Sequence, residues 1–167
     1  AVGSGTDESP GDRCGLGRGG QLREGTDVTV IATGMMVQEA VKAADGLTAE
    51  GVSGRVIDMH TIKPLDEEIV LKAARETGAI VTSEEANVIG GLGSAVCECV
   101  AAGCPVPVVR HGVKDEFGRS GAAKQVLAAY GLTADGIAQA VRPALSLTKG
   151  ELPPRPGIAG VEGALLP

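Results

Sequence analysis

The spacing of apolar residues changes period several times along the chain. Residues 28–33, Val-Thr-Val-Ile-Ala-Thr, are apolar or β-branched at successive positions. That predicts a strand buried on both faces. Gly34 ends it, and Met36, Val37, Ala40, Val41 and Ala44 then recur at helical spacing, predicting a helix to about Ala49. Residues 53–58 predict the next strand. Pro64 disfavours helix immediately before it, so residues 59–64 are a connection. Asp66 is a suitable N-cap, and Ile69, Val70, Ala73 and Ala74 form the apolar face of a helix ending at Gly78.

The stretch that follows carries the richest signal. Residues 79–82 are an apolar run of strand length, and Ser83, Glu84 and Glu85 are expected to form a polar turn. Gly90, Gly91 and Gly93 make a glycine-rich bend, with Gly91 expected at positive φ. Leu92, Ala95, Val96, Cys99 and Val100 then recur with helical period, and Gly103-Cys104-Pro105 closes that helix. Strand, bend and helix place this loop at the carboxyl edge of a parallel sheet, where sites are usually built. The bend can hold an anion on the helix's first amides, or it can simply pack helix against sheet. It lacks the third glycine of a dinucleotide-binding fingerprint.

Residues 106–110 predict a further strand, placed near a sheet edge because Pro107 interrupts it. Residues 111–120 read as a polar loop. Two short helices are predicted over 122–130 and 134–141, the first ended by Gly131 and the second capped by Thr133. Strands alternating with helices predict an α/β fold, a three-layer α/β/α sandwich over a mostly parallel sheet. Residues 1–20 are glycine-rich and read as linker or irregular tail, residues 21–143 as the domain, and residues 144–167, proline-rich and unpatterned, as an irregular tail.

Composition narrows the chemistry. Phe117 and Tyr130 are the only aromatic residues among 167, so the core is aliphatic and no base-stacking platform is available. With a net charge of −6, this argues against a nucleic-acid partner. No apolar run reaches membrane-spanning length, so no membrane partner is expected. The absence of an initiator Met suggests a fragment or a processed chain. Cys14, Cys97, Cys99 and Cys104 match no zinc or redox spacing and read as small buried hydrophobes in a reducing cytosol.

Four stretches in order resemble the carboxyl-terminal domain of the transketolase family. They are Leu-Arg-Glu-Gly-Thr-Asp-Val-Thr-Val-Ile-Ala-Thr-Gly at 22–34, Val-Ile-Asp-Met-His-Thr-Ile-Lys-Pro-Leu-Asp at 56–66, Glu84-Glu85 ahead of Gly90-Gly91-Leu92-Gly93, and Phe-Gly-Arg-Ser-Gly at 117–121 with Tyr-Gly-Leu-Thr-Ala-Asp-Gly-Ile at 130–137. The last pair is most similar to the split transketolases, whose halves are separate chains. The resemblance implies a five-stranded mixed sheet whose first short strand is antiparallel to the rest. It implies a cytoplasmic enzyme that transfers two-carbon ketol units between sugar phosphates, as in the pentose phosphate pathway. Thiamine diphosphate and Mg2+ would serve the complete enzyme, with neither bound by this chain. The implied partners are the thiamine-binding domains or an N-terminal transketolase subunit, in a homodimeric whole. The expected role is structural and subunit-contacting, with no catalytic, cofactor or metal residue and no activity of the chain alone. Two alternatives stand beside it. One is the same domain of an α-keto acid dehydrogenase β subunit or of deoxyxylulose-phosphate synthase. The other is a free-standing α/β module binding a phosphate or nucleotide.

Seven residues are candidates for an interface or anion contact: Glu84, Glu85, Gly90, Gly91, Gly93, His111 and Arg119. The two glutamates are either paired carboxylates or a contact to another domain. His111, with Arg110, Lys114 and Arg119, is either a phosphate contact or part of a solvated loop. His60 reads as a loop histidine and Lys63-Pro64 as a rigid turn.

Overall fold

A computed structural model describes residues 15–116, 118 and 120–150. Five strands form one sheet: β1 (Gly20–Arg23), β2 (Val28–Ala32), β3 (Gly54–Asp58), β4 (Ile80–Asn87) and β5 (Val108–Val113), in the order β1-β3-β2-β4-β5. β1 runs antiparallel to β3, and the other neighbouring pairs are parallel. The mixed sheet and its flanking helices agree with the expected α/β/α sandwich.

The central position of β2 explains its composition. All five of its residues are buried. Successive side chains point to opposite faces, so both faces must be apolar or internally bonded. Val28, Val30 and Ala32 enter one core with α1 (Met36–Ala49) and α5 (Ala134–Thr148). Ile31 enters a second core with α2 (Glu67–Thr77) and α3 (Leu92–Gly103). Two predicted caps form as read: Asp66 accepts from the Ile69 amide and Thr133 from the Gly136 amide. Gly78 closes α2 in the left-handed region, at φ 70°.

Three boundaries differ from the sequence reading. β4 does not stop at a turn after Thr82 but continues to Asn87, so Ser83, Glu84 and Glu85 are strand residues. β5 begins two residues later than expected and includes His111, which is therefore not in a loop. Past position 143, α5 continues to Thr148 with Pro143 inside it, because Ala144 is buried on the same helix face as Ile137 and Val141. The short α4 (Ala123–Ala129) buries no residue fully. β5 lies at the sheet edge, as Pro107 suggested. Phe117, Arg119, Cys14 and the segments 1–14 and 151–167 lie outside the described residues.

Candidate functional site

The carboxyl edge of the sheet gathers most of the residues singled out above. Strand alternation decides what each does there. Ile80 faces the α2/α3 core and Val81 the α1/α5 core. Thr82 and Glu84 therefore face α3, while Ser83 and Glu85 face α1.

Glu84 is 1% exposed, so it does not form the expected surface contact. Its carboxylate accepts from the amides of Leu92 at 2.9 Å and Gly93 at 2.8 Å. These are two of the first amides of α3, whose N-cap, Gly91, provides no side-chain bond. Glu84 thus caps a helix from a neighbouring strand and complements the positive end of its dipole. The glycine bend does hold an anion, but that anion is the domain's own carboxylate.

Glu85 points to the opposite layer. Its Oε2 accepts from the Met35 amide at 2.9 Å, at the start of α1. The side chain is exposed, in contrast to that of its neighbour. The adjacent glutamates are therefore caps for helices on opposite sides of the sheet, not a catalytic pair. Gly90 stands at φ 80°, whereas Gly91 has φ −94° and is needed for space rather than for backbone freedom. Gly93 brings α3 close to β5: a Cβ there would stand 2.8 Å from Arg110 Cγ and Thr82 Oγ1.

His111 joins three elements. Its Nδ1 lies 3.0 Å from Ser83 Oγ on β4, and its Nε2 lies 3.0 Å from the Gly131 carbonyl between α4 and α5. A carbonyl only accepts, so Nε2 carries the hydrogen, and the Ser83 hydroxyl donates to Nδ1 of the neutral ring. Burial pushes the His111 pKa below its ordinary 6.5, partly opposed by the Gly131 carbonyl. His111 is a half-buried cross-link, both ring nitrogens engaged within the domain, and not the phosphate contact considered above.

The sheet register also places Asp58, Ala32, Ser83 and His111 in one row across four strands. These are the residue types of a Ser–His–Asp triad, but the geometry does not serve nucleophilic attack. Ser83 is fully buried and bonded to Nδ1, and Nε2 is occupied by a backbone carbonyl. Asp58 lies two strands from Ser83, about 10 Å at ordinary strand spacing, and cannot orient the imidazole. Its pKa is raised by burial, an effect partly offset by His60. The Ser83–His111 bond was invisible in the sequence because it depends on strand register.

His111 makes a testable contribution to acid sensitivity. The unfolded chain binds the imidazole proton more readily than the folded one, so this contribution is complete above about pH 6.5 and lost as pH falls below it. Urea unfolding at pH 7 and pH 5.5 should show a fall in stability that His111→Gln reduces. An unchanged pH difference in the variant would show that His111 is not responsible.

His60 is exposed, with Nε2 3.3 Å from the Gly15 carbonyl, consistent with a loop histidine. Cys97, Cys99 and Cys104 are free thiols, only partly buried. Among the described residues, no three His, Cys, Asp or Glu side chains are grouped to hold a metal ion. No helix among them is long and apolar enough to cross a membrane.

The mixed sheet with an antiparallel β1 and flanking helices agrees with comparison to known proteins. The family profile described as "Transketolase, C-terminal domain" matches residues 17–137. The chain belongs to the transketolase C-terminal domain family. A 6-deoxy-6-sulfo-D-fructose transketolase subunit from Clostridium sp. strain MSTE9 is 50% identical over 133 residues, covering 80% of this chain and 41% of the relative. A putative transketolase C-terminal section from Methanocaldococcus jannaschii is 43% identical, covering 75% and 39%. A 1-deoxy-D-xylulose-5-phosphate synthase from Heliobacterium modesticaldum is 45% identical, covering 76% and 20%. Among solved structures, a split-gene transketolase described as an inactive beta4 tetramer superimposes with a TM-score of 0.81 at 50% identity, covering 84% of this chain and 46% of that one. This transketolase domain thus spans less than half the length of these relatives.

Proposed function

We propose that this chain is the C-terminal domain of a split-type transketolase and braces the assembly of an enzyme whose cofactor is bound elsewhere. The carrying observation is the Glu84 carboxylate closed on the amides of Leu92 and Gly93. It fills the glycine bend, whose backbone amides would otherwise be free to meet a phosphate, so these residues do not fit a diphosphate. In the complete enzyme, thiamine diphosphate would supply the electron sink for cleavage and transfer of a two-carbon ketol unit. Its aminopyrimidine partner and Mg2+ ligands would come from the thiamine-binding domains. This chain's residues position those domains and perform no proton or group transfer.

The test is complementation. The thiamine-binding half encoded with this chain, given thiamine diphosphate and Mg2+, should transfer ketol units between sugar phosphates only when this chain is added. Calorimetric titration of this chain alone should give no heat with micromolar thiamine diphosphate. Tight binding by this chain alone, or no gain in activity on mixing, would overturn the reading. A second arm with pyruvate and glyceraldehyde 3-phosphate is warranted by the 45% identity to a deoxyxylulose-phosphate synthase. Product in that arm alone would reassign the enzyme.

A further inference from the structure

His111 bonds the turn after α4 to the sheet. The backbone hydrogen bonds printed by α4 and its turn, from Ala122 to Thr133, run within that stretch. The Gly131 carbonyl then accepts from His111 Nε2 on β5 at 3.0 Å. No residue of α4 is fully buried, and Leu127 and Tyr130 are only partly buried against the α1/α5 core. Leu132, by contrast, is 2% exposed and anchors the chain just past the turn. β2, with all five residues buried, is the other extreme. Segments that bury little apolar surface open at lower free energy than the core. α4 and its turn can therefore leave the sheet while the rest stays folded.

The ring holds the turn as the neutral tautomer. Nε2–H donates to Gly131, and Nδ1 accepts from the Ser83 hydroxyl at 3.0 Å. A second proton would place a hydrogen on Nδ1, facing the hydroxyl's own. Ser83 is fully buried, so its hydroxyl would have to turn away with no water to meet it. The cation would also lie beneath α5, where a Cβ on Gly136 would stand 2.9 Å from Nε2. The charged groups on the surrounding elements do not offset this. Glu85 on β4 is engaged with the Met35 amide, and Glu39 on α1 with Lys42 and the Ala134 amide. Arg110 on β5 is bonded to the Val88 carbonyl. Lys114, Asp115 and Glu116 after β5, Lys124 on α4 and Asp135 on α5 are exposed, and Tyr130 lies in the turn itself. Among the described residues none of these makes an ion pair with His111, whose ring is governed by burial and by the Gly131 carbonyl.

We propose that His111 is an acid-operated latch, whose protonation frees residues 123–131 from the sheet edge while the five-stranded core stays folded. The neutral ring bridges β4, β5 and the turn. The protonated ring is better accommodated in water, beside a released turn. α4 forms one side of a hollow of about 500 Å3 lined by Met35, Glu85, Val126 and Leu127, so release opens that hollow and bares Leu127 and Tyr130. The latch lies within this chain and does not depend on the proposed function.

Amide hydrogen exchange of the full chain at pH 7 and pH 5.5, corrected for the intrinsic rate at each pH, tests the latch. Amides of residues 123–131 should be less protected than those of β2 at both pH values. Their opening should rise by up to about eightfold at pH 5.5, the ceiling for a ring that titrates at its ordinary 6.5 once released. His111→Gln should remove the rise. Ser83→Ala keeps the ring but takes away the donor at Nδ1, so the closed form protonates more readily and the rise should shrink to about threefold or less. This second variant decides if His111→Gln does not fold. Equal opening at the two pH values overturns the latch. So does protection of residues 123–131 that matches β2, since the segment would then open only with the whole domain. A rise that persists in His111→Gln, or that Ser83→Ala leaves at full size, overturns it too, because another group then carries the acid response.

Discussion

Replacing Glu84 with alanine is expected to cost the domain about 3 kcal/mol of stability, the largest effect of any single exposed or buried carboxylate here. The change leaves the amides of Leu92 and Gly93 without their acceptor in a site where the side chain is 1% exposed. Each buried orphan amide costs about 1–3 kcal/mol, and the favourable charge at the helix N-terminus is lost as well. Glu84→Gln keeps one acceptor oxygen but points an amide group at a donor, so it should cost about half as much. Glu85→Ala should cost less than about 1 kcal/mol, because water can reach the exposed Met35 amide instead. Urea unfolding of the three variants measures all of these. A Glu84→Ala domain as stable as the Glu85→Ala domain would show that the cap does not stabilise α3.

Gly91→Ala is expected to cost about 2–3 kcal/mol, for a reason of space. A Cβ there would collide with Glu84 Oε2 and stand 2.8 Å from its Cδ and 2.9 Å from the Asn87 carbonyl oxygen. At φ −94° the backbone itself accepts any residue, so the positive φ expected from the glycine run is not the cause. The added methyl must push the carboxylate off the amides it caps. Gly90 provides the contrast. It has φ 80° with no heavy atom within 4 Å of a Cβ, so Gly90→Ala should cost only the left-handed backbone penalty, about 1 kcal/mol. The mechanism is tested by a double-mutant cycle. Gly91→Ala should cost at least about 1 kcal/mol less when Glu84 is already alanine, because the displaced group is gone. Strict additivity of the two changes would separate the glycine from the glutamate.

The chain's own pattern determined the elements and the layers. The unbroken apolar and β-branched run from Val28 to Ala32, the helical recurrence of Met36, Ala40 and Ala44, and the caps at Asp66 and Thr133 are local signals, and each element forms where they stand. The family was legible from residue types in order along the chain, since its four stretches need no knowledge of the fold to be read. What Ser83, Glu84, Glu85 and His111 do was decided only by tertiary structure. Their polar character suggested a turn and a solvated loop, because local reasoning assigns unpaired polar residues to water. In the fold, α3 presents free amides within reach of Glu84, and β5 brings His111 opposite Ser83. These partners lie eight to twenty-eight positions away in the chain. Sheet register and alternation chose which polar group is sealed inside and which faces outward, and neither is specified until the strands have paired.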